Sequence, residues 1–347
     1  MQEKDNLVSP LIDKIQAGEV PSELKEKVLT RLNQMKALVD SPTFLPEIDK
    51  MNRYVDWIVN LPWNKRTEDM LDLEHAKQIM DESHYGLQEL KDRVLEYLSV
   101  MQLKQQQKQE LARAPILCFV GLVGTGKTTF ADSVAKALGR KIARIPFGGM
   151  GDPLDLRGKS RMHAEAEPGK VIKALRQTQA KNSVILLDEI DRVTDEGRAS
   201  IMGVLVELLD PEQNHNFIDH YIDYPFDLSE VIFIATANNT TNIATAVMDR
   251  LEPIQMPSYS DEEKITIGKE YILPKALKQA GLSPEIIQVD EQVWSQFVRP
   301  LGFDAGIRTL GRTIEAMVRK ISRQIVEGHV QNIRITEDNV KQYLPQW

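Results

Sequence analysis

The stretch Gly121-Leu122-Val123-Gly124-Thr125-Gly126-Lys127-Thr128 decides the fold of this chain. It matches the pattern G-x-x-x-x-G-K-[ST] at every fixed position. An apolar run at 116–120 precedes it, and a helical pattern at 130–138 follows it and stops at a glycine. The order strand, glycine-rich loop, helix is typical of a phosphate-binding loop in a parallel α/β sheet. We therefore predict that arrangement here.

The residue types of this loop suit the phosphate chain of a nucleotide. Glycines let backbone N–H groups converge on phosphate oxygens, and the following helix adds the positive end of its dipole. Lys127 is expected to reach the outer phosphates, and the Thr128 hydroxyl is expected to ligate Mg²⁺. A glycine-rich turn without a ligand is the alternative, which the flanking strand and helix disfavour. The residues predicted to bind phosphate are Gly121, Leu122, Val123, Gly124, Thr125, Gly126, Lys127, Thr128 and Thr129.

Length and composition describe an ordinary globular chain of 347 residues, with 42% hydrophobic and 27% charged residues. The net charge of −8 argues against a general nucleic-acid binder, which usually has a basic face. We find no signal-peptide pattern and no long apolar stretch, so we expect a cytoplasmic protein. The single cysteine, Cys118, excludes an internal disulfide and is expected to be buried. No histidine has metal-site spacing from another histidine or cysteine.

The apolar pattern changes twice along the chain. Helical periodicity dominates the N-terminal part, short apolar runs then alternate with helical stretches, and helical patterns return beyond Pro257. We therefore predict a mostly parallel α/β core with an N-terminal helical region and a small C-terminal helical domain. The predicted strands are 116–120, 141–145, 184–187, 231–236 and 253–256, with a further short apolar run at 333–335. The predicted domains are 1–72, 73–257 and 258–347.

Two further strands are predicted to end in polar side chains. The run Val184-Ile185-Leu186-Leu187 is followed by Asp188 and Glu189, and ligands of open α/β sheets bind at such carboxyl ends. Asp188 would support the Mg²⁺ shell, and Glu189 would orient or activate the attacking water. Asn238, after the next strand, could hold that water. A solvated acidic turn and an asparagine turn are the respective alternatives.

With these motifs in order, the chain resembles the ATPase part of the Lon family of AAA+ proteins from about residue 10 to residue 345. Phosphate-binding loops occur in many families, but the ordered set of family-like strings is specific. The strings are Tyr54-Val55-Asp56-Trp57, Leu61-Pro62-Trp63, His84-Tyr85-Gly86-Leu87, Val94-Leu95-Glu96-Tyr97-Leu98, Leu208-Leu209-Asp210-Pro211-Glu212-Gln213-Asn214, Asp219-His220-Tyr221 and Asp249-Arg250. The resemblance implies an AAA+ P-loop core with a helical lid domain.

The resemblance also implies an adenine site. His84, Tyr85 and Gly86 would lie beside the adenine ring. Taken alone, the same residues indicate a glycine turn between two helices.

Three polar side chains acquire roles from the resemblance. Asn238 matches the sensor-1 position, and Arg308 matches the sensor-2 arginine of the lid. Arg250 matches an arginine finger that reaches the γ-phosphate bound by a neighbouring subunit, a contact worth about 10³–10⁵ in rate. A finger of this kind implies a homo-hexameric ring. Surface ion pairs are the alternative for both arginines.

The chain departs from the family in the loop that would face the pore of the ring. Lon-like unfoldases carry an aromatic–aliphatic–glycine trio there, whereas this sequence has His163, Ala164 and Glu165. In a ring, Glu165 and Glu167 are expected to repel acidic substrates and to weaken the threading of apolar ones. The alternative is that the loop tolerates these changes and still threads polypeptide.

A full Lon protein continues into a peptidase domain with a Ser–Lys dyad, whereas this sequence stops at Trp347. It contains no segment like Gly-Pro-Ser-Ala-Gly, so we expect no peptidase activity from these residues. A piece of a longer protein and a stand-alone ATPase both remain open.

The sequence therefore predicts Mg²⁺-dependent ATP hydrolysis that drives chaperone-like remodelling or unfolding of a protein. The alternative is a nucleotide-gated oligomeric adaptor that recruits a partner without threading it. A DNA-acting motor is disfavoured by the acidic charge.

Overall fold

The computed structural model describes most of the chain. The described residues are 2–37, 41, 44–107, 116–163, 165–298, 306–328 and 332–344. No helix within these ranges is long and apolar enough to cross a membrane.

Helices occupy both ends of the described chain and also lie between the strands. They are α1 (Gln2–Ala17), α2 (Ser22–Lys36), α3 (Phe44–Val59), α4 (Leu73–Ser83), α5 (Gln88–Gln106), α6 (Lys127–Ala137), α7 (Leu154–Arg157), α8 (Lys170–Thr178), α9 (Arg198–Leu209), α10 (Thr245–Met248), α11 (Asp261–Ile267), α12 (Leu273–Gln279), α13 (Trp294–Val298), α14 (Arg308–Val326) and α15 (Val340–Tyr343). A π-helical turn, Gly268–Ile272, joins α11 to α12.

The strands are short. They are β1 (Ile116–Val120), β2 (Ile142–Pro146), β3 (Val184–Asp188), β4 (Phe217–Ile218), β5 (Pro225–Phe226), β6 (Ile232–Ala237), β7 (Leu251–Gln255), β8 (Ile287–Val289) and β9 (Ile333–Ile335). The five strands predicted before Pro257 are all present, with ends shifted by at most two residues.

A five-stranded sheet has the order β2-β3-β6-β1-β7. The β2–β3 and β3–β6 pairs are parallel, with Ile145 opposite Leu187 and Leu187 opposite Ala235. Every residue of β3 and β6 is buried, as expected for inner strands covered on both faces. The predicted mostly parallel α/β core is therefore confirmed.

The chain forms two compact units, each assembled from three segments. Unit 1 comprises Met1–Leu71, Ser99–Cys118 and Leu138–Pro253. Unit 2 comprises Asp72–Leu98, Phe119–Ala137 and Ile254–Trp347. The three consecutive domains expected from the sequence stay a prediction.

Unit 1 contains α1, α2 and α3 together with strands β2, β3 and β6 of the sheet. The Tyr54 hydroxyl on α3 donates a 2.9 Å hydrogen bond to the carbonyl oxygen of Ile222. The Trp63 ring lies 4.9 Å from the Phe226 ring between centroids. Because these aromatic side chains are buried, they fix the N-terminal helices to the α/β core. Cys118 is buried as expected, and burial raises the pKa of its thiol to about 12.

Unit 2 contains a helical cluster built from α12, α13 and α14. Its buried centre includes Trp294, Phe297, Ile314 and Met317. A Cβ added to Gly268 would lie 2.8 Å from the Trp294 ring, so a glycine lets the π-helical turn approach this ring. Strand β8 pairs in parallel with β9. The sequence pointed to a short apolar run only at β9, because a three-residue strand has too few positions for a period to emerge.

Candidate nucleotide site

The glycine-rich loop lies in unit 2, directly before α6, which begins at Lys127. Gly124 has φ +85° and Gly126 has φ +99°, a region that residues with a Cβ rarely adopt. A Cβ on Gly121 would lie 2.6 Å from the carbonyl oxygen of Met256. Backbone conformation or close approach therefore requires glycine at all three positions.

The Lys127 ammonium lies against the loop. It donates hydrogen bonds to the carbonyl oxygens of Gly121 at 2.6 Å and Leu122 at 3.0 Å, and the residue is only 7% exposed. The Thr125 hydroxyl donates a 2.9 Å bond to the same Leu122 oxygen. A buried positive charge beside a helix N-terminus is suited to anionic oxygens.

His84 lies beside this loop in unit 2. Its Nε2 is 3.1 Å from the Thr129 hydroxyl, and its Nδ1 is 3.1 Å from the Ser83 hydroxyl. The ring meets the edge of the Phe130 ring at 5.0 Å. Burial, with the positive charges of Lys91 and Lys275, lowers the pKa of His84 to about 4. The imidazole is therefore neutral at physiological pH, which suits contact with an uncharged base.

The three residues between His84 and α5 form a bend. Gly86 has φ +62° and Leu87 has φ +56°, so two successive residues adopt the left-handed conformation. A Cβ on Gly86 would find only the Glu263 carboxylate within 4 Å, at 3.9 Å. Conformation rather than crowding therefore favours glycine there. The half-buried Tyr85 ring lies 6.4 Å from the ring of Tyr271.

The start of α14 contacts the glycine-rich loop. The Ile307 N–H donates a 3.0 Å hydrogen bond to the carbonyl oxygen of Gly124. A Cβ on Gly306 would lie 2.5 Å from the carbonyl carbon of Gly124, so the two backbones are in direct contact. A Cβ on Gly124 would in turn lie 3.2 Å from the Cβ of Arg308. Arg308 is therefore fixed at its backbone beside the loop, and its side chain is exposed.

Asp188 and Glu189 lie at the carboxyl end of β3 in unit 1 and share a partner, Thr236 of β6. The Thr236 hydroxyl donates to the Asp188 carboxylate at 2.5 Å and accepts from the Glu189 N–H at 2.8 Å. Asp188 is buried and also forms an ion pair with Arg144. Glu189 has φ +58°, and its carboxylate is 3.5 Å from Arg192. One hydroxyl therefore binds both predicted residues, and no pattern in the sequence predicted this role for Thr236.

Asn238 follows β6, as predicted. Its backbone N–H donates a 3.1 Å hydrogen bond to the carboxylate of Asp191, which is buried in the 3₁₀ turn Ile190–Arg192 after β3. The chain segments that follow β3 and β6 are therefore joined in unit 1.

Arg250 forms an ion pair within its own chain. Its Nη2 donates a 2.7 Å hydrogen bond to Asp210, and its Nη1 donates a 2.7 Å bond to the carbonyl oxygen of Ala246. The Arg250 hydrogen bond holds the pKa of Asp210 below its ordinary value. The ion-pair alternative for Arg250 is therefore present in the structure, which leaves the finger role a prediction.

The loop 158–169 in unit 1 has a fixed base. The buried Asp219 carboxylate accepts from the Gly169 N–H at 2.7 Å and from the Tyr221 N–H at 2.8 Å. A Cβ on Gly158 would lie 2.8 Å from the same carboxylate. Lys159 N–H donates to the Glu167 carbonyl oxygen at 3.0 Å. These bonds hold both arms of the loop together.

The tip of this loop is exposed at His163 and Glu165, and Ala164 lies outside the described residues. The Glu167 carboxylate lies 2.9 Å from the ammonium of Lys173 on α8. The Lys173 ammonium therefore partly compensates the negative charge expected for the loop, and this ion pair was not predicted from the sequence.

The predicted residues thus fall into three groups. Unit 2 brings the glycine-rich loop together with His84 and Arg308. Unit 1 brings Asp188 and Glu189 together and joins the segment of Asn238 to the same strand ends. Arg250 pairs with Asp210. Thr128 is the second residue of α6, and Leu122 and Val123 are exposed in the loop.

Two family models match this chain. The model of the ATPase family associated with various cellular activities (AAA) matches residues 117–259. The model of the Lon protease AAA+ ATPase lid domain matches residues 278–333. The fold, the glycine-rich loop and these matches define an ATPase of the AAA+ class with a helical lid, as the sequence predicted.

Three similar proteins show to which family this chain belongs. Lon protease 2 of Thermus thermophilus is 43% identical over 350 residues, covering 99% of this chain and 43% of the relative. Lon protease of Lawsonia intracellularis is 44% identical over 328 residues, covering 94% and 38%. Lon protease 1 of Bacillus subtilis is 40% identical over 341 residues, covering 98% and 43%. The chain belongs to the Lon family as an AAA+ module, and it spans about two fifths of the length of these relatives.

Proposed function

We propose that this chain uses Mg²⁺-dependent ATP hydrolysis to remodel or unfold a protein. The observation that carries the hydrolytic part is the Thr236 hydroxyl, which binds the Asp188 carboxylate and the Glu189 backbone together. The Asp188 carboxylate and the Glu189 backbone are thereby fixed at one strand end, where the two residues supply one carboxylate for a metal and one for a water. The lid supports mechanical coupling, because α14 contacts the loop at Gly124.

Nitrogen donors would bind the phosphate chain, and oxygen donors would bind its metal ion. Lys127 and the loop N–H groups would bind phosphate oxygens. The Thr128 hydroxyl and the Asp188 carboxylate are the hard oxygen donors that Mg²⁺ prefers. When bound, the metal would neutralise charge on the phosphates. The neutral His84 ring, with Tyr85 and Gly86, would accept the adenine.

The reaction itself requires a positioned water and stabilisation of developing charge. Glu189 would take the proton of the attacking water, and Asn238 would orient that water. Arg250 would act on the nucleotide of a neighbouring subunit after leaving Asp210, and Arg308 would report the nucleotide state to the lid. This requires a homo-hexameric ring. We propose a cytoplasmic protein that acts on other proteins rather than on nucleic acid.

Glu189→Gln tests this assignment. The amide keeps the size of the side chain but accepts no proton, so we expect ATP binding within about twofold of wild type and turnover reduced by about 10²-fold or more. Titration with a fluorescent ATP analogue and a phosphate-release assay measure the two quantities. Glu196→Gln, an exposed glutamate of the same unit, is the matched control. Wild-type turnover in Glu189→Gln would overturn the assignment.

A nucleotide-gated adaptor is the second candidate, and one observation favours it. The tip of the loop 158–169 exposes His163 and Glu165, where an unfoldase uses an aromatic grip. Stimulation of turnover by unfolded casein, together with unfolding of a folded reporter protein, would support the remodeller. An ATP turnover rate that does not change when polypeptide is added would favour the adaptor.

A further inference from the structure

A groove of about 1060 Å³ lies in unit 1, between α2, α3, the loop 158–169 and the turn 220–223. We call it the α2–α3 groove. Among the described residues that line it, Glu47 and Asp223 are acidic. The basic lining residues are Lys27, Arg31, Lys50, Arg53, Lys159 and Arg161. The groove is thus locally basic in a chain whose net charge is −8.

The cations of the α2–α3 groove are available to an external anion. Neither Arg31 nor Lys159 has an acidic side chain within ion-pair distance among the described residues. Three others form exposed ion pairs, each with a residue of its own helix. Such pairs are weak in water, so an incoming carboxylate can replace the existing partner. These pairs are Lys27–Glu23, Lys50–Glu47 and Arg53–Asp49.

Apolar side chains also line the α2–α3 groove. Val28, Met35 and Met51 are buried side chains of α2 and α3 that border it. Met162 of the loop also borders it and is 93% exposed. Methionine side chains adapt to apolar partners of different shape. A ligand that brings only charge would leave these surfaces unused.

One wall of the α2–α3 groove is already in position. The Arg161 guanidinium stacks over the Tyr54 ring at 3.9 Å and lies 3.6 Å from the Asp223 carboxylate. The Tyr54 ring lies 6.1 Å from the Tyr221 ring. The loop is therefore tied to α3 and to the turn by its own side chain, and a ligand binds at lower entropic cost when the surface is preformed.

We propose that the α2–α3 groove binds an extended polypeptide segment in which acidic residues alternate with apolar ones. Carboxylates would pair with Arg31 and Lys159, and the side chains between them would contact the exposed Met162 above a floor that includes the buried Val28 and Met51. A nucleic acid fits less well, because its phosphates would use the cations but leave the apolar side chains without a partner. This proposal depends on the proposed function in one respect only, namely that the ligand of the groove is a protein substrate. The preference for acidic segments reverses the expectation from Glu165 and Glu167.

Fluorescence anisotropy on the full chain tests the proposal. The probe is a fluorescein-labelled twelve-residue peptide of alternating Glu and Val, and its competitors are the same peptide with Lys for Glu and an oligo-dT of equal length. The double variant Arg31→Glu/Lys159→Glu should weaken peptide binding by more than about tenfold. The control Arg93→Glu/Arg319→Glu reverses two exposed arginines of unit 2 and should change binding less than about twofold.

A second measurement locates the peptide. A photo-crosslinking residue introduced as Met162→benzoylphenylalanine should capture the peptide, whereas Val326→benzoylphenylalanine, at a similarly exposed position in unit 2, should not. Equal affinity in the groove variant and wild type would overturn the proposal. So would tighter binding of the Lys peptide or of oligo-dT.

Failure of this proposal is distinguishable from failure of the proposed function. A chain that binds the acidic peptide but releases no phosphate from ATP would overturn the function and leave the groove assignment standing. A chain that hydrolyses ATP but does not bind the peptide at millimolar concentration would overturn the groove assignment alone.

Discussion

The glycine-rich loop of unit 2 and the loop 158–169 of unit 1 contrast in where they are constrained. Close contacts or positive φ angles constrain the three glycines of the glycine-rich loop, and Gly124 also contacts Gly306. The loop 158–169 is fixed by Asp219 at its base, while His163 at its tip is exposed. A segment that must hold a phosphate has few acceptable sequences. A segment that meets varied partners can change at its tip as long as its base is retained.

The largest expected effect is at Lys127. Lys127→Ala removes the buried ammonium beside Gly121 and Leu122, so we expect ATP affinity to fall by about 100-fold or more. Isothermal calorimetry measures it. Lys136→Ala, an exposed lysine on the same helix, should bind ATP as wild type does. Wild-type ATP affinity in Lys127→Ala would contradict the proposal that the glycine-rich loop is constrained because it binds phosphate.

The next largest effect is the pH dependence of stability at His84. The unfolded histidine takes up a proton near pH 6.5, whereas the folded one does so only near pH 4. Between these values the unfolded state binds more protons, so its free energy falls relative to the folded state. Stability from His84 is complete above pH 6.5 and declines by about 3 kcal/mol as the pH falls to 4.

Denaturant unfolding of wild type and His84→Gln at pH 7.5 and pH 5 measures this effect. The difference between the two pH values should be smaller in the variant, because glutamine does not titrate. His215→Gln, at an exposed position, should keep the wild-type difference. An identical difference in His84→Gln would contradict the burial of a neutral imidazole beside the loop.

A smaller effect is expected where the lid contacts the glycine-rich loop. Gly306→Ala forces a Cβ against the Gly124 carbonyl, which we expect to cost about 1–3 kcal/mol and to weaken ATP binding about tenfold. Gly311→Ala, five residues further on in α14, is the control, because its Cβ would have open space and alanine favours helix. Thermal unfolding and ATP titration of both variants measure the difference. Equal stability and equal ATP affinity in the two variants would show that the contact between the lid and the loop does not contribute to nucleotide binding.

The contrast between the loops also explains what the sequence predicted. The glycine-rich loop and the strands before Pro257 were predictable because each depends on a local pattern. The Thr236 bridge between Asp188 and Glu189 was not, since it joins segments almost fifty positions apart. The Arg250–Asp210 pair and the Gly306–Gly124 contact are of the same long-range kind. A motif predicts the residues that carry the chemistry, whereas the residues that hold them in place are distant in sequence and are identified only in the folded structure.

The smallest expected effect is at the tip of the loop 158–169, and it tests whether this tip still acts on polypeptide. His163→Tyr supplies the aromatic ring that Lon-like unfoldases use, and such a ring contact is worth about 1 kcal/mol. If substrate passes this tip, casein-stimulated ATP turnover should rise about fivefold while basal turnover stays unchanged. His215→Tyr, away from the loop, is the control. Unchanged stimulation would mean that the tip does not contact polypeptide, and the difference between the loops would then reflect a lost function rather than tolerance.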